Sequence, residues 1–126
     1  MDFSSRSLAD VVVAFPTGPI DHANAQALQA ALAPILDAPA PGTTALVLDL
    51  SGVDYISSMG LRVLMVAAKQ LRGRGMRIAV ASLTPVVQEI FDIARFNHVT
   101  EVFPTVRAAL EGISPGALAA LEAGSR

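Results

Sequence analysis

The chain of 126 residues contains no cysteine, and its only histidines, His22 and His98, stand far apart. No disulfide or thiolate metal site can form, and the histidines lack ligand spacing, so each reads as a surface or capping residue. Neither sign of charge dominates: nine Lys and Arg face eleven Asp and Glu, for a formal net charge of −2. That balance leaves no electrostatic footprint for nucleic acid or an anionic membrane. Arg72, Arg74 and Arg77 do cluster, but with Gly73 and Gly75 between them, which suits a solvated helix end. No apolar run approaches the roughly 18 residues of a membrane-spanning helix. Met1 to Asp10 also lacks the basic segment and apolar run of an export signal. The expectation is a cytoplasmic protein without direct membrane insertion.

Catalytic machinery is missing as well. Neither Asp21 nor Asp49 has a histidine or second acid placed by sequence for acid–base work. No nucleophile–base or metal set is visible, and Gly52 with Gly60 does not make a phosphate-cradling loop. A binding module without cofactor or metal is expected rather than an enzyme.

What the chain does have is apolar content: 52% of its residues are hydrophobic, enough for one core in one domain. Val11-Val12-Val13-Ala14-Phe15 is short and β-branched, hence a strand within Leu8 to Phe15. From Ala23, the residues Ala25, Leu28, Leu32, Ile35 and Leu36 recur at helical spacing, with a kink or end expected near Ala33 because of Pro34. Ala45 to Leu50 reads as a central strand covered on both faces. A helix from Met59 to about Arg72 follows, stopped by Gly73 and Gly75, and Met76 to Ala81 alternates as another strand. Thr84-Pro85 opens a helix whose expected buried face is Val86, Val87, Ile90, Ile93 and Ala94. Val99 to Phe103 is a last strand, Thr105 caps a helix with Val106, Ala109 and Leu110, and Ser114-Pro115 starts either a further helix or a frayed tail. Alternating strands and helices imply an α/β fold with parallel pairing, the first strands excepted.

The most informative stretch runs from Leu46 to Leu64: a buried strand, the turn Ser51-Gly52-Val53-Asp54, then Ser57-Ser58-Met59-Gly60 opening a helix. Hydroxyls and unpaired N–H groups meet there at a helix N-terminus, a place that favours anions. Ser58 is expected to cap this helix, with Ser57 the poorer candidate. Asp21 reads as a helix cap and Asp49 as a turn-stabilising carboxylate near Gly52. Within the helix, Leu61, Leu64, Met65, Ala68 and Leu71 form the expected core stripe. Met59, Val63 and Val66 lie nearly opposite, continued by Gln70 and flanked by Arg62 and Lys69. Either another element covers this second stripe or it is a partner surface.

Taken together, Gly18-Pro19-Ile20-Asp21 followed by Ala23 and Leu28, then Asp49-Leu50-Ser51, Ser58, Gly60 and Leu61, Thr84-Pro85-Val86 and Phe103-Pro104-Thr105 resemble STAS domains, specifically bacterial anti-sigma factor antagonists. The resemblance covers about Val11 to Leu110. It implies one domain over residues 1–111, with 112–126 as a C-terminal helix or tail, and a mixed, mostly parallel sheet of about five strands with helices mainly on one face. It also implies a partner-switching role, in which the chain binds an anti-sigma factor of kinase-type fold and a phosphatase reverses phosphorylation. Together with the second stripe of the helix, this gives as expected contact residues Asp21, Asn24, Ser57, Ser58, Met59, Gly60, Arg62, Val63 and Val66. Phospho-regulated members carry serine where this chain has Met59, and methionine takes no phosphate, so Ser58 is the nearest acceptor. The same departure suits an alternative: a STAS subunit of a membrane transport complex that docks on its ATPase without a phosphoswitch.

Overall fold

A computed structural model describes residues 1–124. Among these residues the chain forms one five-stranded sheet, five α-helices and a 3-10 turn at Phe96–His98. The strands are β1 (Asp2–Leu8), β2 (Val11–Thr17), β3 (Ala45–Asp49), β4 (Arg77–Ala81) and β5 (Glu101–Phe103), and the sheet order is β1-β2-β3-β4-β5. β1 pairs antiparallel with β2, and every later pairing is parallel. The helices are α1 (His22–Asp37), α2 (Ser58–Gly73), α3 (Pro85–Ile93), α4 (Val106–Ile113) and α5 (Pro115–Gly124).

Alternation along the central strands divides the core in two. Leu46 and Leu48 of β3 and Ile78 and Val80 of β4 point to the face covered by α1, α2 and α3. Ala45, Val47, Ala79 and Ala81 point to the other face, beneath Ala109 and Leu110 of α4 and Ala117 of α5. Val47 and Leu48 are both fully buried, as expected of a strand covered on two sides. The mostly parallel sheet of five strands, with three of the helices on one face, is the expected architecture.

Several local expectations are corrected. The strand expected within Leu8 to Phe15 is interrupted: β1 ends at Leu8 and β2 starts at Val11, the two forming a hairpin closed at Leu8↔Val11, with Ala9 at φ 54° in its two-residue turn. Pro34 does not end α1, which continues to Asp37. Burial of Leu36 holds the last turn, and α2 reaches across to satisfy its open carbonyls. The Gln70 amide donates to Leu36 O at 3.2 Å, and Arg74 donates to Asp37 O at 2.9 Å.

α3 buries Val87 and Phe91, with Ile90 half-buried, while Val86, Ile93 and Ala94 are exposed. At 100° per residue Val86 and Ile93 fall together on a flank well away from the Val87–Phe91 edge. β5 begins at Glu101 rather than Val99, because the 3-10 turn uses the preceding residues. Thr105 caps α4 by accepting from the N–H of Ala108, and Ser114 caps α5 by accepting from that of Ala117. The last two residues of the tail, Ser125 and Arg126, lie outside the described residues.

Candidate partner-binding site

In the parallel part of the sheet, the loops leaving β2, β3 and β4 meet at one edge, the carboxyl edge where open α/β sheets hold their sites. Backbone hydrogen bonds join the first two loops. Gly18 N–H donates to Gly52 O at 2.9 Å, Ile20 N–H to Tyr55 O at 2.8 Å, and Ser57 N–H to Ile20 O at 2.8 Å. Thr84, at the start of α3, ties in the third loop by donating its hydroxyl to Val53 O at 2.8 Å. That bond replaces the expected side-chain cap, which Thr84 does not make.

Gly60 shows how tightly the two turns approach. A Cβ there would stand 2.6 Å from Ile20 Cγ2 and 2.8 Å from Ile56 Cγ1, so only glycine fits without displacing them. Asp21 and Asn24 are thereby set beside the serine turn. Asp21 caps α1 by accepting from Asn24 N–H at 2.8 Å, and the Asn24 amide donates to Pro19 O at 2.7 Å. Asp49 is the expected turn carboxylate, accepting from the N–H of Ser51, next to Gly52, at 2.9 Å.

The helix cap expected of Ser58 falls to its neighbour. Ser57, not Ser58, caps α2: its backbone is extended and its Oγ accepts from Gly60 N–H at 3.2 Å. The spacing Ser-x-x-Gly carries this signal, since an N-cap side chain reaches the third helical residue. Ser58 is therefore the first residue of the helix. It is exposed, and its hydroxyl has no hydrogen-bond partner among the described residues.

Along α2 the buried residues are Gly60, Leu64, Ala67, Ala68 and Leu71. Met65, expected in the core stripe, is 40% exposed, and Leu61 is only half-buried. α1 lies against the other flank of α2, so the buried arc rotates toward Ala67 and away from Met65. The second stripe is accordingly only partly covered. Val63 is half-buried, whereas Met59 and Val66 remain 40% and 51% exposed.

Between α1 and α2 these residues line a groove of about 230 Å³, with Leu32, Ala33 and Leu36 opposite and Gln29, Arg62 and Asp37 among its polar lining. Gln70 also lines it but is already engaged, bonding to Asp37 as well as to Leu36. On the other side of Ser58 and Arg62 lies a shallower apolar patch of Leu61, Met65, Ala94, Phe96 and Val99. Sequence reasoning missed this patch, because it depends on the chain after α3 returning beside α2. Ser58 and Arg62, four residues apart on one helix face, thus stand between two apolar surfaces. Among the described residues no three His, Asp or Glu side chains converge as a metal site, and no helix is long and apolar enough to cross a membrane.

The fold agrees with what the chain is similar to. The family model for the STAS domain matches residues 3–109. BtrV of Bordetella bronchiseptica, assigned as an anti-sigma factor antagonist, is 37% identical over 109 residues, covering 86% of this chain and 91% of BtrV. The anti-sigma-F factor antagonist RsfB of Mycobacterium tuberculosis is 29% identical over 99 residues, covering 79% of this chain and 78% of RsfB. A Thermotoga maritima protein assigned to the anti-sigma factor antagonists superposes with TM-score 0.80 at 22% identity, over 88% of this chain and 93% of that one. The fold also occurs inside the murine anion transporter Slc26a9, with TM-score 0.71 at 21% identity over 85% of this chain but 18% of the transporter. The chain belongs to the STAS domain family and is related within it to the anti-sigma factor antagonists.

Proposed function

We propose that this chain binds an anti-sigma factor through the α1–α2 groove and the serine turn, and so releases a sigma factor. The observation that carries this reading is the groove itself. Met59 and Val66 stay open to solvent beside a hydroxyl at the start of α2 that has no internal partner. A helix start that Ser57 already caps needs nothing from Ser58. The contact surface under this reading comprises Asp21, Asn24, Ser57, Ser58, Met59, Gly60, Arg62, Val63 and Val66. The domain that carries it is residues 1–111, its far face closed by the end of α4 and by α5. The family names of BtrV and RsfB support the class of partner.

Control by phosphorylation, if the partner is a kinase, acts at Ser58. A phosphate there adds roughly −1.5 to −2 charges. The α2 N-terminus and Arg62 one turn on accommodate that charge without disturbing the fold. The effect then falls on the apolar contact surface, which has to desolvate to bind. Methionine at position 59 favours a second form of the reading, a constitutive binder or a transporter-associated STAS subunit without the switch.

The deciding experiment is a calorimetric titration of the protein with the anti-sigma factor encoded in its own genome, repeated after incubation with that factor and ATP. The proposal expects a saturable complex. Phosphate mapped to Ser58 by mass spectrometry, lost in Ser58→Ala, establishes the switch. A complex without labelling establishes the constitutive form. No complex, together with capture by a transporter ATPase, overturns the anti-sigma reading.

A further inference from the structure

The two edges of the sheet are guarded very differently. β5 is three residues long, and Glu101 at its start pairs with Arg77 of the neighbouring strand. β1 is seven residues long and pairs with β2 over its whole length without a bulge or proline. Its other edge makes no backbone hydrogen bond to any element among the described residues. Long, regular edge strands are ones that soluble proteins normally blunt.

The pairing shows which groups are unused. A two-residue hairpin closing at Leu8↔Val11 makes that pair hydrogen-bonded, and alternation extends this to Arg6↔Val13, Ser4↔Phe15 and Asp2↔Thr17. Pro16, which has no N–H, falls opposite Phe3 at a position that needs none. The N–H and C=O groups of Phe3, Ser5 and Ser7 consequently face outward.

Two-fold pairing of this edge with a second copy has to match those outward residues, and the registers that do so over most of Asp2–Leu8 are centred on Ser4, Ser5 or Arg6. The third sets Arg6 against its own copy, and the second sets Asp2 against Leu8. The first sets Asp2 of each chain directly opposite Arg6 of the other, with Ser4 facing Ser4 and Phe3 facing Ser5. Opposed residues in an antiparallel pair lie on the same face, so both opposite-charge pairs form. Within one chain, neither the Asp2 nor the Arg6 side chain has an ion pair or hydrogen-bond partner among the described residues. Asp2, Ser4, Ser5 and Arg6 are all exposed.

We infer that β1 is a self-association edge, at which two copies join antiparallel about Ser4 into one continuous sheet of both protomers. β1 contributes no residue to the α1–α2 groove or to the serine turn, so association leaves both open, and the inference does not rest on the proposed partner. The test is sedimentation equilibrium on the full chain from micromolar to millimolar concentration. A reversible dimer is expected. Ser5→Pro removes an outward N–H and leaves the β1–β2 bonds in place, so it should give a monomer with unchanged far-UV circular dichroism. Asp2→Arg should weaken the dimer about tenfold, because both pairs become repulsive. The double variant Asp2→Arg, Arg6→Asp should restore it, and this rescue still decides the matter if Ser5→Pro fails to fold. A wild-type monomer throughout, or a dimer indifferent to the charge swap, overturns the inference.

Discussion

The two faces of the sheet are closed to different degrees. On the α4–α5 face the strands present alanine and valine, and the helices settle onto them with Ala109, Leu110 and Ala117 fully buried. The polar group at that contact is engaged: Ser114 accepts from Ala117 N–H and donates to Asp10. On the α1–α3 face the sheet is sealed just as well beneath Leu64 and Ala68. The outer surface of the helix pair, however, is left with a groove, two exposed apolar side chains and an unengaged serine. Burial explains the first face completely. It explains only the inner half of α2 on the second, and the surplus is what a partner can use.

The sharpest way to break this division is to mutate adjacent residues of α2 that fall on opposite sides of it. Leu64→Ala should cost about 2–5 kcal/mol by chemical denaturation, because a fully buried side chain is removed. Met65→Ala, one residue on, should cost less than about 1 kcal/mol, since the side chain is 40% exposed. Equal costs would mean that the buried arc of α2 is wrongly placed.

On the far face, Ser114→Ala should cost about 1–2 kcal/mol at neutral pH through loss of the α5 cap. That cost should also depend on pH. The hydroxyls of Ser114 and Thr44 donate to Asp10 and hold its carboxyl below its ordinary value. A lowered folded pKa contributes stability that is present above the unfolded value, near 4, and is lost as pH falls through the folded one. The difference between wild type and Ser114→Ala should therefore shrink in acid, as followed by thermal melts between neutral pH and about pH 2.5. A pH-independent difference would show that the Ser114–Asp10 bond adds nothing.

A smaller effect separates the two serines of α2. Ser57→Ala should cost about 1 kcal/mol as the loss of a helix cap. Ser58→Ala should change stability by less than about 0.5 kcal/mol. The reverse order, read from urea midpoints, would return the cap to Ser58.

Contiguous and periodic features were legible in the sequence. The apolar run of β3 and the cap residues Thr105 and Ser114 declare themselves locally, as does the start of α2 to within one residue. What escaped depends on distant partners. β1 reads as Asp-Phe-Ser-Ser-Arg-Ser-Leu, too polar to be recognised as a strand, because an edge strand needs apolar residues only where neighbours cover it. The end of α1 beyond Pro34 is held by burial of Leu36, and its last carbonyls accept from Gln70 and Arg74, more than thirty residues away in sequence. The stripe Met59–Val63–Val66 was visible as surplus, but that α1 would make it one wall of a groove was not. The family resemblance pointed to Ser58, and the geometry adds why that hydroxyl is available: its neighbour has taken the structural work.

The central claim, that the open half of α2 is a partner surface, is tested most directly by comparing two exposed apolar residues in one binding assay. Val66 lines the groove and is 51% exposed, whereas Ile93 is 77% exposed and lies outside it. Val66→Asp and Ile93→Asp are each titrated against the cognate anti-sigma factor by calorimetry, with melting temperatures recorded alongside. The account predicts at least about tenfold weaker binding for Val66→Asp, equivalent to some 1.4 kcal/mol, and wild-type affinity for Ile93→Asp, with both variants folded. Undiminished binding by a folded Val66→Asp protein would contradict it.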